Sequence, residues 1–141
     1  MRDDAWAEMI PPRLLRAYRA TRYEAAGVAV RIGRRSAAMD AVLDRMGARV
    51  AGFITAWNPR SRRMPDGWNR RMQGRLAERL RRHACVPARG SLRRWHEDHL
   101  LAAADPGQLL RLARVFRQYG IVVVVRGRPA RLLLRDDAIA S

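Results

Sequence analysis

The stretch Phe53-Ile-Thr-Ala-Trp-Asn-Pro-Arg-Ser-Arg-Arg-Met-Pro-Asp-Gly-Trp-Asn69 decides how the chain is read. It has the character of a strand end, a polar loop and a helix start. In an extended backbone Val50, Gly52, Ile54 and Ala56 face one way and Ala51, Phe53, Thr55 and Trp57 the other. Both sets are mostly apolar, which marks a strand covered on both faces. Pro59 removes a ladder donor and pushes Asn58 toward extended backbone. Asp66 stands where a helix N-cap is expected. Trp68, Met72, Leu76 and Leu80 then form one apolar stripe at helical spacing, and Asn69 falls inside its arc. A polar residue on a buried face needs a partner. Asn58 and Thr55 are the nearest by chain geometry, and a ligand is the other choice. Strand ends and helix N-termini are favoured places for ligands in α/β sheets. The competing reading is that Asn58 and Asn69 only cap and staple the loop.

Outward from this stretch, Pro11-Pro12 opens a short helix through Tyr18. A first strand covers Tyr23 to Ile32. Ser36 caps a helix carrying Met39, Val42, Leu43 and Met46, closed by Gly47. The second strand is Arg49 to Trp57, and a long basic helix follows from Asp66 to about Ala84. Val86 to Arg94 reads as irregular, interrupted by Pro87 and Gly90. Trp95 to Ala103 is the third strand. Asp105-Pro106 starts a helix with Leu109, Leu110, Leu112, Ala113 and Phe116 inward, and Gly120 closes it. Ile121 to Val125 is a continuous β-branched run, again an interior strand. Ala130 to Arg135 returns as a hairpin partner.

This alternation argues for the α/β class, with α+β as the alternative. The expected architecture is a mixed, mostly parallel sheet of about five strands, with flanking helices and a C-terminal hairpin. The expected divisions are a loose segment 1–13 in which Trp6 is an anchor, one domain over 14–135, and a polar tail 136–141.

A chain of 141 residues suits one domain with a sizeable core. No apolar run is long enough to span a membrane. The opening M-R-D-D-A-W-A-E lacks a signal-peptide core, and the single Cys85 suits a reducing cytoplasm. Cys85 itself reads as a small hydrophobe. Lys and Arg total 29 against 13 acids, a net charge of +16. Such a balance points to an acidic partner, nucleic acid foremost. Every basic residue is arginine, so codon bias in a GC-rich genome accounts for part of the excess but not for the scarcity of acids. The composition sets no oligomeric state.

At Thr55-Ala56-Trp57-Asn58-Pro59 the chain resembles an uncharacterised bacterial family, domain of unknown function 3293. Further points of likeness are Tyr18 with Thr21, Asn69, Trp95 with Glu97, and Phe116 with Gln118. The likeness runs from about Leu14 to Leu134. It departs at Asp98-His99, where the family usually carries a small residue. The resemblance implies one compact domain and the same choice of site, and brings no activity with it.

Candidate chemistry is sparse. In W-H-E-D-H, Glu97 and His99 share one strand face, and His96 and Asp98 the other. Neither face supplies the three or four ligands a metal needs. Glu97 is the one candidate catalytic residue, a general base without a placed nucleophile or second acid, so the sequence leans away from an enzyme. No cofactor or metal motif is present. The expected ligand set is Thr55, Trp57, Asn58, Asn69, Glu97 and Gln118, holding an anionic metabolite or nucleotide. The alternative is a non-catalytic protein that grips nucleic-acid backbone, without sequence preference, through Arg60, Arg62, Arg63, Arg70, Arg71, Arg75 and Arg82.

Overall fold

A computed structural model of the chain describes residues 10–135. The expectations for the first nine residues, including Trp6, and for the tail after Arg135 lie outside them. Within them the elements run α1 (Pro12–Ala20), β1 (Arg22–Ala25), β2 (Val28–Val30), α2 (Ala37–Met46), β3 (Val50–Ile54), α3 (Asp66–Arg79), β4 (Cys85–Leu92), β5 (Trp95–Ala102), α4 (Pro106–Val115), β6 (Gly120–Val125) and β7 (Arg131–Leu134).

The seven strands form one sheet in the order β2-β1-β4-β5-β3-β6-β7, and every neighbouring pair is antiparallel. This corrects the expected mostly parallel sheet of about five strands. Three local features produce the difference. The run Tyr23–Ile32 is not one strand: Ala26 (φ 51°) and Gly27 (φ 78°) reverse it into the β1–β2 hairpin. Two successive residues at positive φ make the tight turn that matches strand twist. The stretch after Val86 is not irregular. It lies in β4, whose pairing with β5 is unbroken from Cys85↔Ala102 to Leu92↔Trp95. Pro87 is tolerated because β1 covers β4 only from Ala88 to Ser91, leaving Pro87 on a free edge. Finally the β4–β5 hairpin inserts between β1 and β3, so no parallel crossover joins the expected first and second strands.

The sheet curls into a half-barrel. Ile32 and Ala130, beside its two edge strands, form a parallel bridge. The Gly33 N–H donates to the Ala130 carbonyl at 2.7 Å, and the Ala130 N–H to the Arg34 carbonyl at 3.1 Å. The inner face holds a cluster containing Val30 and Ala130 from the two edges, Tyr23, Phe53 and Val122, and Met39, Val42 and Leu43 of α2. The outer face carries Leu76 and Leu80 of α3 and Leu109, Leu110 and Phe116 of α4 against Ile54, Ile121 and Val123. The two-sided apolar reading of β3 and β6 is therefore correct. A side chain on Gly52 would come within 2.7 Å of Leu109, so the bare backbone there is what lets α4 seat on β3.

Helix ends follow the sequence in part. Ser36 Oγ accepts the Met39 N–H at 3.0 Å, Gly47 closes α2 at φ 68°, and Asp105 Oδ2 accepts the Gln108 N–H at 3.2 Å. Asp66 is not a cap: Pro65 holds that position without a side-chain bond, and Asp66 is the first helical residue. The helix ends at Arg79, ahead of the expected Ala84, and Leu80 caps it. Gly120 begins β6, and the turn out of α4 is made by Arg117 at φ 57°.

Both faces of β3 and β6 are covered and both edges paired, whereas β7 is flanked along its length on one side only. Amide hydrogen exchange is expected to be slowest in Val50–Ile54 and Ile121–Val125 and faster in Arg131–Leu134. Equal rates in the three strands would contradict this arrangement.

Candidate functional site

The loop after β3 is built around a left-handed residue. Asn58 sits at φ 47°, ψ 67°, not in the extended backbone expected before Pro59. Asparagine is among the few residues that accept this region readily. Arg60 (φ 52°) and Ser61 (φ 61°) continue the reversal. Three backbone bonds hold it: Arg60 N–H to the Arg117 carbonyl at 2.7 Å, Ser61 N–H to the Asn58 carbonyl at 2.8 Å, and Arg62 N–H to the Pro59 carbonyl at 3.0 Å. The first ties this loop to the one between α4 and β6.

Asn58 and Asn69 lock to each other. The Asn58 N–H donates to Asn69 Oδ1 at 3.0 Å, and Asn69 Nδ2 donates to Asn58 Oδ1 at 2.9 Å. Asn58 Oδ1 also accepts the Met64 N–H at 2.9 Å, and Asn58 Nδ2 donates to Glu97 Oε2 at 2.8 Å. Their relative exposures are 3% and 1%, so these bonds stand in place of water. Thr55 belongs to the same strand end without touching the pair. Its Oγ1 donates to the Asp98 carbonyl at 2.6 Å and accepts the Trp57 N–H at 3.0 Å. Gln118 Nε2 donates to the Trp57 and Phe116 carbonyls at 3.0 and 3.2 Å.

Beside this network lies a cavity of about 230 Å³ between α1 and the inner face of the sheet. Of the six ligand residues expected from sequence, Thr55, Asn58, Glu97 and Gln118 line it; Trp57 and Asn69 do not. Trp57 is buried with its ring tilted against His96, 6.4 Å between centroids. Among the described residues Glu97 is the one acidic side chain in the lining, and no arginine lines it. Its Oε2 accepts from Asn58 and also from Trp95 Nε1 at 3.2 Å.

Sequence reading missed the aromatic wall and His99. Tyr18, Tyr23, Phe53 and Trp95 supply the wall. Burial, and after it the Glu97 charge, raises Tyr18 well above the usual phenol range; burial first and Tyr18 next do the same to Tyr23. Both therefore present neutral hydroxyls. His99 stands edge-on to Tyr23, 5.7 Å between ring centroids, over Gly90, where a side chain would come within 2.9 Å of the imidazole. Burial lowers the His99 pKa, with the Glu97 charge opposing it. Two signals pointed here: the i, i+2 spacing of Glu97 and His99, and the inward alternation of Tyr23 with Ala25. The expected sharing of one face by Glu97 and His99 is what the structure has. Cys85 packs against the outer-face cluster, and burial raises its thiol pKa, consistent with its reading as a small hydrophobe.

Because Asn69 supports the loop from behind the cavity, Asn69→Leu is expected to lower stability by about 1–3 kcal/mol. A double-mutant cycle with Asn58→Gly, which keeps the left-handed backbone accessible, should give a coupling above about 0.5 kcal/mol in denaturant unfolding. Additive effects would mean the two amides do not interact.

Comparison of the chain with curated proteins and with solved structures finds no match. A family model does match, over residues 54–121. That span opens beside Thr55 and closes on β6, taking in Asn58, Asn69, Glu97 and Gln118. The recognition made on T-A-x-N-P holds: across residues 54–121 the chain is similar to the family described as protein of unknown function (DUF3293).

Proposed function

We propose that the cavity between α1 and the inner sheet face binds a small organic ligand, anchored at Glu97. The observation that carries this reading is the carboxylate itself. Two N–H donors fix one oxygen of Glu97, and the other takes no hydrogen bond from the described residues while its side chain lines the cavity. A mainly apolar and aromatic wall with a few convergent polar groups is the usual make-up of a small-molecule site. The reading is one of binding, not turnover. Thr55 Oγ1 is committed to the Asp98 carbonyl, and among the described residues no nucleophile is hydrogen-bonded to a base inside the cavity. A cytoplasmic setting, which Cys85 suits, belongs to the same reading.

The test is a thermal-shift screen of small aromatic compounds on the whole chain. A ligand present at about 100 times its Kd should stabilise the fold by about 2.7 kcal/mol. Ala17 lines the cavity from α1, so Ala17→Phe should abolish that shift. Compounds that stabilise the variant as well as the parent would bind elsewhere and overturn the reading.

A second reading rests on the surface. Arg60, Arg62, Arg63, Arg70, Arg71, Arg75 and Arg82 are all exposed, and none lies within ion-pairing distance of a carboxylate among the described residues. Arg60, Arg62 and Arg63 lead into α3, where Arg71 and Arg75 follow one turn apart. This favours a grip on nucleic-acid phosphates. If about four phosphates are engaged, log affinity should fall with log salt at a slope of about −3 to −4, with no preference for sequence. A flat dependence, or no binding at low salt, would leave these arginines as solvated surface.

A further inference from the structure

We infer that the ligand of the cavity is an organic cation, an ammonium or amidinium group on an aromatic or aliphatic body. This rests on the cavity reading above and narrows it. The chain has 29 basic residues and 13 acidic ones. Carboxylates therefore have counter-ions in excess, and several find one: Glu24, Asp40, Asp44 and Glu78 each pair with an arginine. Glu97, set in the cavity wall, has none within ion-pairing distance among the described residues, and its two partners are neutral N–H groups. Glu97 is half-buried, and a carboxylate partly withdrawn from water without a counter-ion is favoured by a positive charge placed beside it. Here the position for that charge is the open cavity.

His99 adds a second acceptor. Its Nδ1 lies 3.1 Å from the Glu97 carbonyl oxygen. A carbonyl only accepts, so Nδ1 carries the proton and donates, and Nε2 keeps its lone pair. Burial works in the same direction by disfavouring the charged ring. Glu97 Oε1 and His99 Nε2 thus offer two acceptors from one strand face, which suits a group with more than one N–H. The walls suit the same ligand. Aromatic faces attract cations, and at the cavity edge the ring of Trp95 already takes one, with the Arg63 guanidinium carbon 5.2 Å from its centroid. An anionic metabolite or nucleotide fits poorly here. It would meet the Glu97 charge, and among the described residues no arginine lines the cavity to offset it.

The experiment titrates the full chain with benzylammonium, benzyl alcohol and benzoate by calorimetry at physiological salt, where loose association with the basic surface is screened. Benzylammonium is expected to bind roughly tenfold or more tighter than benzyl alcohol, with benzoate weakest. Glu97→Gln keeps an acceptor for Asn58 and Trp95 and removes the charge. It should lower benzylammonium affinity to about that of benzyl alcohol, with an unchanged circular dichroism spectrum. Ala17→Phe should abolish binding of both. If the three probes bind without order of charge, or Glu97→Gln leaves the order intact, while Ala17→Phe still blocks them, the cation assignment falls and the cavity reading stands. If none of the three binds, both fall together.

Discussion

The reciprocal amide pair of Asn58 and Asn69 is the constraint on which the site depends. Asn58 uses its backbone N–H, its side-chain carbonyl and its side-chain amide at once. A buried polar network of this kind favours one geometry because any other leaves a group unpaired. The left-handed turn at Asn58 is held from α3 by Asn69, and the Asn58 amide in turn fixes Glu97 on β5. The orientation of Glu97 in the cavity wall thus depends on Asn58 in the loop and Asn69 on α3. The backbone strain of Arg60 and Ser61, each of order 1 kcal/mol, is offset by the bonds that tie their loop to the α4–β6 connection.

The cavity itself follows from the curl. An antiparallel sheet made of short hairpins twists strongly, and here the twist brings the ends beside β2 and β7 into contact. Two short helices share the enclosed inner face. One part is filled by α2 with Phe53 and Val122. The remainder is roofed by α1, whose end is fixed by Thr21: its N–H and Oγ1 both donate to the Ala17 carbonyl, at 3.0 and 2.6 Å. The space left between roof and sheet is the cavity.

How much of this was legible depends on the range of the interaction. Ser36, Gly47 and Asp105-Pro106 were readable because capping is decided within a few residues. The interior placement of β3 and β6 was readable because Val50–Ile54 and Ile121–Val125 are apolar on both faces. Strand direction was not: side chains alternate with the same period in parallel and antiparallel pairs. The decisive signals were Ala26-Gly27 and Pro87. The first was absorbed into an apparently continuous strand. The second was taken as a break because a proline excludes a central strand, and nothing local told that β1 stops short of it. Asp66 shows the same limit, since Pro65 beside it already has the extended backbone of a cap. At the site, Thr55, Asn58 and Asn69 were found from polarity at the end of an apolar strand and inside an apolar helix stripe, and Glu97 and Gln118 from the resemblance. Trp57 and Asn69 were expected in the same site but do not line the cavity, and which way a buried residue points is a property of the assembled sheet.

Charge separates the interior from the exterior. The seven arginines lie on the loop, on α3 and just beyond it, while among the described residues the cavity lining carries a single acidic side chain. The two could not easily be exchanged. An arginine in the cavity would need a carboxylate partner there, whereas a carboxylate on the surface can meet an arginine, as Asp44 meets Arg126. Enclosure by α1, the neutral donors Asn58 and Trp95, and a lining without arginine act together to leave Glu97 without an ion-pair partner among the described residues. A surface-charge account of this chain explains the arginines but gives no reason for that carboxylate. A binding account of the cavity does.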